Sequence, residues 1–452
     1  MKKIMILIGL LMLAFTCLSA EQKVKKISSK QAIEYLTDEN YLFVDTRSVD
    51  EYIGWPVNIE AEGHIQGAVD FPITWFSMLN KKNLEKELLR RGISKNKTLI
   101  LYDNFGEKIE TPLAQMGYNI QILKGGIEEW NNLKYPIEKL KGYKMYVYPQ
   151  WIDDLIDGKK VANYDGRKYV ILEVSYRQKP KGQIRNSIHI DDSLNHLRGE
   201  RNVFKYKNIP LEIKEKFWNR PNDEKIKEIL LSKGITKDTM VILYGPNLLA
   251  ANRCAAVMKY AGVEDIRILN GGTKRLEKEN YPFVRGYIKP IPVSGFGAEI
   301  PVNKDVLIDF DKELDLVNSP DAVIASIRSW PEYIGKVTGY TYINVKGDIA
   351  NSRFGYAGSD PYHMQDYRNI DNTMFNYNIM RKRWEKWGIT PDKEVSFHCG
   401  TGWRASETYF YAKAMGWDNI HVYDGGWYEW HMRKDAPRKS FGVPSDAPFS
   451  KL

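Results

Sequence analysis

Glu394-Val395-Ser396-Phe397-His398-Cys399-Gly400-Thr401-Gly402-Trp403-Arg404-Ala405-Ser406 decides how the chain is read. Its first five residues have the apolar character of a buried strand, and the pattern from Trp403 toward Met415 is that of a helix. A short glycine-bearing loop joins them, and a cysteine opens it. A thiol at a helix N-terminus, ringed by unpaired backbone N–H groups and followed by Arg404, is stabilised as thiolate and becomes nucleophilic. The competing reading, a small buried apolar residue, fits Cys254 better, because it lies inside the apolar helical pattern Ala250 to Ala261.

The same unit recurs. Double glycines mark it at Leu123-Lys124-Gly125-Gly126, Leu269-Asn270-Gly271-Gly272 and Tyr423-Asp424-Gly425-Gly426. Upstream of each lies a glycine followed by a strand start, at Gly117-Tyr118-Asn119-Ile120, Gly262-Val263-Glu264-Asp265-Ile266 and Gly416-Trp417-Asp418-Asn419-Ile420; each reads as a helix C-cap. Further back come three apolar strands, ending at Tyr102, Tyr244 and His398. Strands alternating with helices at these lengths predict an α/β fold of three tandem domains, each a mostly parallel sheet with helices on both faces. A second echo joins the outer copies: Arg47-Ser48-Val49-Asp50-Glu51-Tyr52-Ile53-Gly54 against Arg328-Ser329-Trp330-Pro331-Glu332-Tyr333-Ile334-Gly335. Turn-rich junctions near Lys139 to Tyr146 and Gly286 to Glu299 separate the copies, giving expected domains at 25–141, 144–286 and 298–440. The third domain also carries an excursion from Arg353 to Arg383, rich in tyrosine, which is expected to wall its site.

Loop length selects the chemistry. Four residues separate Cys399 from Arg404, one fewer than in phosphatase-type loops that wrap a tetrahedral phosphate, and the shorter loop suits a terminal sulfur on the cysteine. With Gly63-His64-Ile65-Gln66-Gly67-Ala68 matching a Gly-His-Ile-x-Gly-Ala signature, and looser matches at Gly182 to Ser187 and Gly347 to Ser352, the ordered set resembles the rhodanese family over most of residues 25 to 440. Within it, the chain looks most like bacterial periplasmic thiosulfate sulfurtransferases with three rhodanese domains. The resemblance implies a sulfurtransferase that moves sulfane sulfur from thiosulfate to cyanide or a thiol through a Cys399 persulfide. Two alternatives stand beside it: a 3-mercaptopyruvate sulfurtransferase, suggested by the Cys-Gly-Thr-Gly start, and a persulfide carrier whose degenerate domains serve for docking. A phosphatase is a third.

Aligned strand ends put Asp103, Gly245 and Cys399 at one position. Only the third copy can carry sulfur, so the first domain reads as a scaffold or docking unit and the second as a wall for the third. Cys399 is the expected nucleophile. The expected substrate-binding residues are Gly400 and Gly402, which turn N–H groups inward, Thr401 as a hydroxyl donor, Trp403 at the pocket mouth, and Arg404 and Arg328 as anion holders. Arg404 has a competing structural reading as the partner of a nearby carboxylate. Arg328 belongs to the family's Asp-x-Arg element, whose aspartate survives as Asp45 in the first copy and is replaced by Ser326 here. Its two readings, facing the cleft or making an internal salt bridge, stay open, and Arg353 is a further substrate-binding candidate. His398 is expected to be held beneath the loop.

Composition bounds the rest. Of 452 residues, 43% are hydrophobic and 27% charged, which is globular and enough for several domains. The net charge of +9 is scattered, without a basic run, so nucleic-acid binding is not expected. Neither a cofactor fingerprint nor a metal-ligand cluster is visible, so no cofactor and no metal are expected. The first twenty residues read as a cleavable signal: Lys2 and Lys3, an apolar run from Ile4 to Phe15, and the exit Leu18-Ser19-Ala20. A periplasmic or secreted protein is therefore expected, without a stable membrane span after cleavage. The expected partners are a small anionic sulfur donor and a protein sulfur acceptor.

Overall fold

Three parallel sheets dominate the computed structural model, which describes residues 25–58, 61–103, 112–176, 181–191, 210–439 and 441–448. The signal-like stretch, residues 1–20, lies outside the described residues. The first domain contributes β1 (Lys25–Ile27), β2 (Tyr41–Asp45), the short β3 (His64–Ile65), β4 (Val69–Asp70), β5 (Thr98–Tyr102), β6 (Asn119–Leu123) and β7 (Ile137–Glu138). The second adds β8 (Tyr146–Val147), β9 (Tyr169–Val174), β10 (Ser187–Ile190), β11 (Met240–Tyr244) and β12 (Ile266–Leu269). The third adds β13 (Leu307–Ile308), β14 (Ala322–Ser326), β15 (Arg353–Phe354), β16 (Glu394–His398) and β17 (Ile420–Tyr423).

The sheet orders are β1-β6-β5-β2-β4, β10-β9-β11-β12-β8 and β13-β17-β16-β14-β15. Counted within each domain, all three read first, fifth, fourth, second, third, and every pairing inside them is parallel. The repeated sequence unit is thus a repeated topology. Strands β5, β11 and β16 are central and almost wholly buried, which is why β5 and β11 are nearly continuous apolar runs, while β16 satisfies its buried Ser396 and His398 through Glu313 and Asp348. In each sheet the connections run outward to either side of this strand, so its carboxyl end opens on the crevice where α/β sheets place ligands. Asp103, Gly245 and Cys399 stand at those three ends.

The double glycines have a packing reason. Gly426 has φ +56°, and a side-chain carbon there would come within 2.7 Å of the Cys399 carbonyl oxygen. Gly126 and Gly272 hold the same conformation against Asp103 and Gly245. Only a residue without Cβ lets this helix start pass so close to the strand-end loop. The Arg-Ser echo has a reason too. Ser48 with Glu51, and Ser329 with Glu332, form matching capping boxes that start a short helix after β2 and after β14.

The domains are locked by buried polar contacts. Helix Leu248–Ala261 of the second domain packs along helix Trp403–Ala414 of the third. Beside that seam Arg253 is paired with Asp424, both without exposed side-chain surface, and Arg220 approaches the same carboxylate at 3.3 Å. Burial opposes the charge on Asp424, but the two guanidinium groups outweigh it and hold its pKa below the usual range. Cys254 is fully buried in the first of these helices, and burial pushes its thiol pKa up. The first domain is tied to the second through Asp50, which accepts from Arg275 at 2.6 Å and Asn270 at 2.9 Å.

Substituting Asp424→Asn leaves Arg253 buried without its charge partner, and the expected loss is about 3–5 kcal/mol. The check is chemical denaturation of the full chain, read as a lower urea midpoint. An unchanged midpoint would show that this pair does not hold the second and third domains together.

Candidate active site

The loop of the third domain is held from behind. The Cys399 and Gly400 carbonyl oxygens accept the Trp427 and Tyr428 N–H groups at 2.8 and 2.9 Å. That commits the loop's carbonyl edge to the double-glycine helix and leaves its amide edge, at the start of helix Trp403–Ala414, as the anion-friendly side. Gly402 has φ +77°, and a Cβ there would come within 2.8 Å of the Asp424 carbonyl oxygen. Gly400 serves differently from expectation. It is absent from the positive-φ glycines, and its lack of a side chain instead lets the Tyr340 ring lie directly on the loop.

Cys399 has no exposed surface. Tyr340, Tyr342 and Arg404 lie near it. Thr401 and Trp403 are the loop residues that reach the adjoining cavity of about 740 Å³. The second domain supplies one side through the Pro246 to Leu249 turn, as its position beside the third domain implied, and the excursion supplies another through Pro361, Tyr362, His363 and Arg368. Trp403 is 6% exposed and meets the Tyr176 ring edge-on at 4.9 Å, so it is a cavity wall and not a surface contact.

Arg404 and Arg328 lie elsewhere than the anion-holding role would require. Both are fully buried. Arg404 donates to Glu332 through both terminal nitrogens, at 2.9 and 3.0 Å. Arg328 lies 3.4 Å from the same carboxylate and 3.5 Å from Asp348, and donates to the Gly347 carbonyl at 2.5 Å. The bidentate fit of a guanidinium to a carboxylate in a dry site explains the placement. The internal salt bridge is therefore the reading of both arginines that the geometry supports. Arg353 is also apart from the cysteine: it pairs with Asp446 and borders a separate cavity.

Asp348 fills the gap left by Ser326. Ser326 donates to it at 2.7 Å, and His398, buried beneath the loop, brings Nε2 within 3.2 Å of its other oxygen. In the first domain Asp45 holds Arg47 directly at 2.7 Å. The third domain thus keeps the buried arginine but moves its aspartate to another segment. Sequence reading missed Asp348 and the rings of Trp218, Tyr340 and Tyr342, because neither the cysteine loop nor the Asp-x-Arg element contains them. Tyr340 and Tyr342 precede the excursion, and only the excursion's richness in tyrosine hinted at an aromatic wall.

The excursion also explains the first domain. Trp75 donates to Asp371 at 2.7 Å, Arg91 to Asn369 at 2.5 Å, and Asn376 donates to Tyr52 and Asp70, each at 2.8 Å. The first domain grips the back of the segment whose front lines the cavity.

Comparisons with known proteins agree with this architecture. A family model described as a rhodanese-like domain matches residues 28–133, 148–279 and 311–433. Thiosulfate sulfurtransferase YnjE of Escherichia coli (strain K12) is 36% identical over 410 residues, covering 90% of each chain. Sulfur carrier protein TtuD of Thermus thermophilus is 26% identical over 215 residues, covering 46% of this chain and 74% of that one. The wild-type structure of EanB superposes with a TM-score of 0.85 at 32% identity, covering 93% of this chain and 98% of the other. Other EanB structures hold hercynine or ergothioneine, two of them with a cysteine persulfide. A tyrosine and a threonine substituted in those proteins stand at the same spacings from that cysteine as Tyr340 and Thr401 do from Cys399 here.

Burial raises the Glu332 pKa, but Arg404 and Arg328 outweigh it and hold it at about 2 against an ordinary 4.5. A depressed carboxylate stabilises the fold above its ordinary range, and that contribution is lost as pH falls from about 4.5 through about 2. Glu332→Gln is expected to cost about 3–5 kcal/mol at neutral pH, since two buried guanidinium groups lose their anion. It is also expected to flatten the acid limb of the stability curve in that window. Denaturation measured across pH checks both, and an acid limb unchanged in the variant would refute the assignment.

Proposed function

The chain belongs to the rhodanese-like family, and from that footing we propose that it is a sulfurtransferase whose third domain carries sulfur on Cys399. The observation that carries this reading is positional. Three copies of one fold present Asp103, Gly245 and Cys399 at the same strand end, and only the last is a thiol on an amide-lined loop at a helix N-terminus. The Cys399 thiolate attacks the outer sulfur of thiosulfate; a bond from Sγ to that sulfur forms, the donor's S–S bond breaks, and sulfite leaves with the electron pair. The loop amides stabilise the resulting persulfide anion without reorganising. An acceptor nucleophile then takes the outer sulfur, and the electron pair of the broken bond returns to Sγ.

The sequence similarity to thiosulfate sulfurtransferase YnjE across 90% of both chains supports thiosulfate as the donor class. The Cys399-Gly400-Thr401-Gly402 start supports 3-mercaptopyruvate as the second donor to test. For the place of action we propose the periplasm or the exterior, on the signal-like character of residues 1–20. Among the described residues, no helix is long and apolar enough to cross a membrane.

Intact-mass measurement after incubation with thiosulfate, and separately with mercaptopyruvate, is expected to show one added sulfur atom. Cys399→Ser is expected to abolish both the adduct and sulfur transfer, while Cys254→Ala keeps the adduct because that thiol lies inside helix Leu248–Ala261 and not on the strand-end loop. Retained transfer in Cys399→Ser would overturn the proposal.

A further inference from the structure

The three strand ends differ in the charges that lie beneath them. Asp45, Glu173 and Ser326 are the register partners of Tyr102, Tyr244 and His398, and two residues further on stand Arg47, Ser175 and Arg328. The first copy pairs its carboxylate with its own arginine, and the third keeps the arginine against Glu332 and Asp348. The second copy keeps the carboxylate but has Ser175 in the arginine's place. Glu173 nevertheless has no exposed side-chain surface, and its Oε1 has no hydrogen-bond partner.

Three groups face this carboxyl. His189 is its register partner on β10 and Tyr244 its partner on β11, so the three side chains stand on one face of the sheet. His189 meets the Ser175 hydroxyl at 2.7 Å and, among the described residues, is the only basic group in ion-pair contact with Glu173, at 3.7 Å. Tyr287 belongs to the junction that leads to the third domain, and its hydroxyl donates to Glu173 Oε2 at 2.9 Å. The junction is fastened on either side of that ring. Gly286 N–H donates to the Gln183 side chain at 2.9 Å, and Ile288 N–H to the Ser187 carbonyl at 3.0 Å. A junction tyrosine thus serves the carboxyl that Arg47 serves in the first copy.

We propose that Glu173, His189 and Tyr287 form a proton-sensitive latch, which fastens the junction between the second and third domains while Glu173 is protonated and loosens it as Glu173 ionises. Burial pushes Glu173 up to about 7 from an ordinary 4.5, with the Tyr287 hydrogen bond opposing. Burial also pushes His189 below its ordinary 6.5, with Asp191 opposing and Lys233 assisting. The imidazole is therefore neutral by the pH at which the carboxylate forms, and the new charge is buried without a cation. Its remedy is water, reached by lifting Tyr287, which is already 37% exposed. A carboxyl raised in the folded state contributes stability that is full below about 4.5 and is lost as pH rises through about 7. The latch adjoins the cavity wall: Val174 follows Glu173, and its carbonyl packs against Gly245, which leads into the Pro246 to Leu249 turn.

Hydrogen exchange of the full-length protein, followed by mass spectrometry on the peptide spanning 284–293 and corrected for the intrinsic pH dependence of amide exchange, reads the latch through the Gly286 and Ile288 amides. Between about pH 5.5 and about pH 8 the wild-type junction is expected to lose on the order of tenfold in protection. Glu173→Gln keeps an acceptor for Tyr287 and cannot ionise, so its junction is expected to stay protected at both pH values. Tyr287→Phe removes the donor from a partly exposed ring and is expected to exchange fast at both. Protection independent of pH in the wild type would overturn the proposal, as would an undiminished pH dependence in Glu173→Gln. If Glu173→Gln does not fold, Tyr287→Phe decides: a pH dependence equal to that of the wild type overturns the latch, and its disappearance supports it.

Discussion

One buried carboxylate, Glu332, is shared by two buried arginines, and the cysteine loop rests on that arrangement. Arg404 reaches it from the first turn of the helix that follows the loop, and Arg328 from the end of the neighbouring strand. Glu332 also closes the capping box with Ser329. A single side chain therefore fixes the start of one helix, the start of another, and the interval between two strands. Such a cluster is costly to desolvate and strongly destabilising to break, so its weight lies in specifying one geometry more than in adding stability. The loop amides and Cys399 inherit their positions from it.

The wall of the cavity depends on a different constraint. It is assembled from separate stretches of the second and third domains, including the excursion, which has little regular structure of its own between Phe354 and Tyr377. Contacts from Trp75, Arg91, Tyr52 and Asp70 hold that excursion from behind. The first domain, which lacks a thiol at its strand end, thereby acts on the site without touching the cysteine. A loop of that length would otherwise be free to sample many conformations.

Much of this was legible in the chain. The double glycines announced three copies because close backbone passage leaves no room for Cβ, and that demand is local. Cys399 stood out because the thiol, the glycines and the helix start are contiguous. The arginines were harder. Arg404 and Arg328 carry the residue type of an anion binder, and nothing in a linear pattern tells whether a guanidinium points into a cleft or down onto Glu332. The recurrence of Glu51 and Glu332 within the echoed octets was the one clue that a carboxylate is part of the framework. Asp348 and the rings of Trp218 and Tyr342 escaped notice because tertiary packing, and not sequence proximity, brings them to the loop.

The thiol and the walls of the cavity beside its loop belong to different parts of the molecule. The thiol and its amides belong to a strand end that the buried ion cluster makes rigid, while the walls belong to loops that can be exchanged without disturbing that cluster. Descendants of such a scaffold can therefore drift in clientele while conserving their chemistry. The three-domain plan lets specificity evolve at the periphery and leaves the reactive centre untouched.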